Sequence, residues 1–164
     1  MGYTHYWKFK KGTEFESAEH KAKFALASKL SETVINKLPK VIEIEQWDGS
    51  VEKAKFKICG GDGTGKPVFS EDCVCFNGCR KDGEDYEPMH IPCKEESSSM
   101  YCKTARHNYD VAVCITLICF KKVFGDGFEY SSDGDIRKGE EGWKLAKRMC
   151  SNYFRTKAYK TQFK

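Results

Sequence analysis

The sequence predicts an α+β fold: one domain in which a mostly antiparallel sheet packs against two or three helices, with a buried central helix over about residues 108–124. Two observations carry this. The chain has 164 residues, 40% hydrophobic and 13% aromatic, enough to close one core. Its most apolar stretch, Val111 to Phe120, is flanked by shorter segments that alternate as strands do. That stretch is about half the ~20 residues a membrane-spanning helix needs, and no cleavable signal pattern stands at the amino end. A cytoplasmic protein without membrane contact is expected.

In chain order, Gly2 to Phe9 reads as a strand with Tyr3, His5, Trp7 and Phe9 on one face and Thr4, Tyr6 and Lys8 on the other. Thr13-Glu-Phe-Glu16 reads as a capping box. From Ser17 the apolar positions Phe24, Ala27, Leu30, Val34 and Leu38 keep helical spacing up to Pro39. Val41–Glu45 is a predicted strand, Trp47–Ser50 a turn, and Lys55–Cys59 a further strand. Gly60, Gly65 and Lys66 match the spacing of a phosphate-cradling loop. Pro67 stands where that motif needs a hydroxyl, so a hairpin or loop is the reading.

Glu71 to Cys79 reads as a short strand ending in an Asn77-Gly78 turn. Asp85 to Pro92 reads as an extended segment whose Pro88 and Pro92 mark an edge position, and Glu95–Ser99 is a polar loop. Asn108 is placed to cap a helix from Tyr109 to about Phe124, with Asp110 at its positive end, Lys121 and Lys122 at its negative end, and Gly125 as the stop. Phe128–Ser132 reads as a returning strand and Asp133–Asp135 as a turn. Glu140–Cys150 reads as a helix with Trp143, Ala146, Met149 and Cys150 inward. The domain is drawn over 1–150, with 151–164 as a tail.

Charge and cysteine content narrow the function classes. The formal charge is +4, and residues 151–164 hold Arg155, Lys157, Lys160 and Lys164 with no acid, so the rest of the chain is balanced. A whole surface built to track phosphates is excluded, which leaves the tail as the nucleic-acid candidate. Its aromatics Tyr153, Phe154, Tyr159 and Phe163 suit base stacking, but a last amphipathic element docked on the sheet is the preferred reading. Nine cysteines without a signal peptide read as mostly reduced. Cys73, Cys75 and Cys79 are the zinc candidates, with His90, Cys93 or Cys102 as a fourth ligand, against packing thiols and no cofactor as the favoured reading.

Five blocks then stand together: the opening Met-Gly-Tyr-Thr-His-Tyr-Trp, Phe76-Asn-Gly, Cys102-Lys-Thr-Ala-Arg, Tyr109-Asp110, and Ser131-Ser-Asp-Gly134 before Trp143. In these the chain resembles a family of small uncharacterised proteins found in bacteriophages and some bacteria. The likeness extends to about Cys150 and departs in the cysteines near Phe76 and the lysine-rich tail. It implies a grouping of Tyr3, His5, Asn77, Lys103, Thr104, Arg106, Asp110, Ser131, Ser132 and Asp133, many of which are expected to converge.

Three functions follow from these residues. The preferred one is an accessory protein of the host-cell cytoplasm that binds a small anionic molecule, such as a nucleotide, or a host protein. Lys103 and Arg106 would seat the anion and an aromatic of the first strand would stack on it. The second is a phosphate- or nucleotide-directed hydrolase or transferase, with His5 as base and Asp110 or Asp133 orienting it. The third is a nucleic-acid module using the tail.

Overall fold

The computed structural model describes residues 2–45, 48–94, 100–139 and 142–163. β1 (Thr4–Phe9) keeps the alternation of its sequence: His5, Trp7 and Phe9 are buried, while Tyr6 and Lys8 face out. α1 (Ala18–Ile35) starts later than the capping box implied. Ser17 Oγ accepts the His20 N–H at 3.1 Å, whereas the Thr13 hydroxyl donates to the Lys10 carbonyl. Glu16, freed from a capping role, pairs with Lys21 and Lys94 at 2.9 and 2.6 Å.

β2 (Val41–Glu45) and β3 (Val51–Lys55) form a separate antiparallel hairpin. The strand expected over 55–59 is broken, because β3 ends at Lys55 and β4 (Ile58–Cys59) pairs elsewhere, with β6. β5 (Val68–Phe69), β6 (Cys73–Gly78) and β7 (Met89–Pro92) complete that second sheet around β6. Asn77 and Gly78 lie inside β6 and make no hairpin turn. A side chain at Gly78 would collide with the Glu84 carbonyl, so glycine is required there by close approach.

β8 (Met100–Lys103) precedes α2 (Asp110–Phe124), and β9 (Phe128–Ser132) follows it. In the third sheet β1 lies between β8 and β9, antiparallel to both, so His5 stands opposite Cys102 on one side and Ser132 on the other. α2 packs between α1 and α3 (Gly142–Phe154), and from Asp110 to Phe120 every residue but Ile118 is buried. Such a helix has to be central, as its all-round apolar sequence demanded. Gly125 ends it at φ 56°. Asn108, by contrast, caps nothing: Tyr109 is the capping residue without a side-chain bond, and the Asn108 amide donates to the Lys55 carbonyl at 3.1 Å.

α4 (Lys157–Gln162) begins at Thr156, whose hydroxyl accepts the Tyr159 N–H. The tail is therefore a docked element, and it docks on α3. Tyr153 and Tyr159 are buried, and Phe154 packs on Tyr159 at 5.1 Å. The boundary drawn at residue 150 falls inside α3. The helix expected from Glu140 is described from Gly142 on. Trp47 and the predicted loop Glu95–Ser99 lie outside the described residues. Among the described residues no helix is long and apolar enough to cross a membrane.

Cys59 and Cys79 form a disulfide, while the other seven cysteines are free. The expectation of mostly reduced thiols holds for those seven and fails for this pair.

Candidate functional site

Two elements distant in sequence meet at one buried hydrogen bond. Alternation in β1 turns His5 inward, and α2 aims its first residue, Asp110, at the same face of the sheet. His5 Nε2 donates to Asp110 Oδ1 at 2.7 Å, with both residues buried. The proton belongs on Nε2, because Asp110 accepts on all sides. Thr104 Oγ1 donates to the same Oδ1 at 2.5 Å, and Oδ2 accepts the Gly142 N–H at 3.2 Å and the Cys114 thiol at 3.6 Å. Burial pushes the Asp110 carboxyl up, but His5, Thr104 and the Gly142 N–H outweigh it and hold the group below the usual carboxylate range.

Around this pair Tyr3 packs edge-on against His5 at 5.2 Å and Trp143 does so at 5.5 Å. His5 Nδ1 and Ser132 Oγ, on facing residues of neighbouring strands, are buried without a hydrogen-bond partner among the described residues.

The turn that leaves β8 is clamped onto β1. The Tyr3 carbonyl accepts the N–H groups of Thr104 and Ala105 at 2.9 and 3.2 Å. Ala105 and Arg106 then take φ 49° and 66°, both left-handed and neither a glycine. For residues with a Cβ this costs on the order of 1–2 kcal/mol each. The result is that the exposed Arg106 guanidinium lies over the Tyr3 ring, 5.0 Å from its centre. Lys103 runs the other way, with Nζ 5.7 Å from the centre of the Tyr86 ring, which in turn stacks on His107 at 5.8 Å. A cleft of about 20 Å³, lined by Ile42, Arg106, His107, Gly142 and Leu145 among others, reaches Asp110. It has room for a single water-sized group.

Of the grouped residues, Tyr3, His5, Thr104, Arg106 and Asp110 converge here, and Ser132 stands beside them. Asp133 is not part of the pair. It lies at the sheet end, where its carboxylate accepts the Thr4 N–H at 3.0 Å. Ser131 faces outward on the opposite side of the sheet. Asn77 belongs elsewhere: buried in β6, its amide donates to the carbonyls of Gly61 and Tyr86 at 3.1 and 3.0 Å, and its oxygen accepts the N–H groups of Gly78 and Tyr86. That is a backbone clamp with every polar atom used, and it holds no ligand-facing group.

The zinc set Cys73, Cys75 and Cys79 does not form, because Cys79 is bonded to Cys59. Among the described residues the one group with metal-ligand spacing is His5, Asp110 and Cys114. Its chemistry fits a hydrogen-bond network better than a metal. Four donors occupy the carboxylate, and burial holds the Cys114 thiol well above its ordinary pKa, against the thiolate a metal requires.

No family model, curated protein or solved structure matches the chain.

Sequence reasoning passed over Cys114, Tyr86 and Tyr101. Cys114 looked like one more apolar position of α2, and only helical phase places it one turn after Asp110, on the same side. Tyr86 and Tyr101 are exposed aromatics, and nothing in a single sequence separates those from packed ones.

Proposed function

We propose that the protein acts by stoichiometric binding of a small anionic ligand at the turn 103–107, as a phage-type accessory protein of the host-cell cytoplasm. The observation that carries this reading is the left-handed pair Ala105–Arg106. Strained non-glycine residues persist where their surroundings over-determine them, and they gather at ligand clamps. Here the surroundings are the Tyr3 carbonyl below and the buried His5–Asp110–Thr104 network behind. What they hold in place is an exposed guanidinium over the Tyr3 ring, and the Lys103 ammonium, over the Tyr86 ring, is a second cation at the other side of the same turn. A phosphate or carboxylate is the chemical match. A host protein offering such a group would engage the same cations.

The hydrolase or transferase reading has one point in its favour, since His5 and Asp110 lie within hydrogen-bond reach. Against it, His5 is 0% exposed and the cleft leading to Asp110 holds no more than one water. The pair is better employed as an internal brace than as a base and its orienter.

The test is a thermal-shift panel of inorganic phosphate, polycarboxylates and mononucleotides against the wild type and Lys103→Ala/Arg106→Ala. The expected result is a shift with one anion class that disappears in the double variant. If every shift survives the double substitution, the reading is wrong.

A further inference from the structure

Three large aromatic side chains stand exposed among the described residues, and all three surround Lys103. Tyr6 is 41% exposed, Tyr86 47% and Tyr101 65%. Tyr6 and Tyr101 are register partners on β1 and β8 and share the outer face of the β8–β1–β9 sheet. Lys103 is on that face too, opposite Thr4, and its Nζ reaches the Tyr86 ring. Residues directly opposite in antiparallel strands have Cβ atoms about 4.5–5.5 Å apart. Two phenol side chains rooted at facing positions, open to solvent on the central and an edge strand, are a poor surface for water and a good one for flat groups.

We propose that this outer sheet face binds single-stranded nucleic acid, with successive bases stacked on Tyr6 and Tyr101 and the phosphates taken by Lys103. The proposal rests on the anion site above and names its occupant. A mononucleotide would use one ring and leave the other in water, whereas a strand uses both. A duplex hides the base faces that the tyrosines need. The charges on the face are compatible with this. Lys8 is paired with Glu129 at 3.1 Å. Glu87 and Asp133 point carboxylate oxygens at the N–H groups of Lys103 and Thr4, which leaves the side-chain cation of Lys103 to a ligand. The tail that composition singled out is the weaker platform, because its Tyr153 and Tyr159 are buried.

The experiment is fluorescence anisotropy with labelled oligo-dT and oligo-rU of about twelve nucleotides, and with a duplex of the same length, at two salt concentrations. Expected is binding of a single strand over the duplex that weakens with salt and falls roughly 5- to 150-fold in Tyr6→Ala and in Tyr101→Ala. Both positions are exposed, and circular dichroism melts verify folding; Tyr6→Leu, which keeps an apolar strand residue without a stacking face, is the second variant. Equal binding of duplex and single strand, or wild-type affinity in the tyrosine variants, overturns the proposal. If oligonucleotides fail while inorganic phosphate still gives a shift lost in Lys103→Ala/Arg106→Ala, the nucleic-acid inference falls and the anion site stands. If tyrosine-dependent oligonucleotide binding survives that double substitution, the anion site falls and the stacking face stands.

Discussion

Asp110→Asn keeps the shape of the buried carboxylate and removes its charge and half of its accepting capacity. Asp110 Oδ1 serves His5 and Thr104, and Oδ2 serves the Gly142 N–H and the Cys114 thiol. The amide nitrogen of Asn must face one of these donor pairs, so two donors lose their acceptor and the other two keep a neutral one. At about 1.5–3 kcal/mol for each such bond the cost is about 3–6 kcal/mol, in line with the 3–5 kcal/mol of a buried pair that loses one member. For a domain of this size that lowers the melting temperature by roughly 6–24 °C. Urea titration followed by circular dichroism measures it as a lower midpoint at unchanged slope.

Acid separates this account from a simple packing defect. The folded-state pKa of Asp110 is depressed, so its stabilisation is present above the ordinary value of 3.8 and is lost as pH falls through the lower folded value. Wild type and Asp110→Asn should therefore differ fully at neutral pH and converge below 3.8. A difference under about 1 kcal/mol at neutral pH, or one that stays constant into acid, refutes the reasoning.

Ala105→Gly removes the Cβ that makes φ 49° costly and should raise stability by about 1 kcal/mol, read as a higher urea midpoint. A loss would show that the turn is not strained. Cys59→Ser/Cys79→Ser opens a loop with a sequence separation of 20 and should cost about 3 kcal/mol, and adding reductant to the wild type should give the same midpoint as the variant. Gly78→Ala has no space for its methyl group beside the Glu84 carbonyl and should unfold at least about 2 kcal/mol more easily, measured by the same titration.

Elements whose signal is local were legible in the sequence. α2 announced itself by fifteen residues too apolar for a surface helix and too long for a strand. β1 followed from alternation. Errors arose where two local signals competed. Thr13 and Ser17 are both residue types that cap helices, but the Ser17 hydroxyl accepts the His20 N–H while the Thr13 hydroxyl turns back to the Lys10 carbonyl. Asn77-Gly78 spells a turn, but the space beside Glu84 takes glycine within a strand. The site was legible only as a list. His5 and Asp110 are 105 residues apart, and it is strand register that brings them together, which periodicity does not encode. The left-handed turn was invisible because alanine and arginine carry no preference for it. The Cys59–Cys79 bond was hidden among nine cysteines whose spacing favours no one pair.

The position of β1 in the middle of its sheet governs the order in which the protein comes into being. Thr4 and Asp133, bonded at the sheet's end, are 129 residues apart, and β1 has β8 and β9 as its two neighbours. At the ~5–20 residues per second of synthesis, the earlier strand waits roughly 6–26 s for its later partner. During that wait Trp7 and Phe9 have no α2 to cover them. The nascent chain therefore carries its stickiest strand longest unpaired, and the ribosome sets the pace at which it is protected.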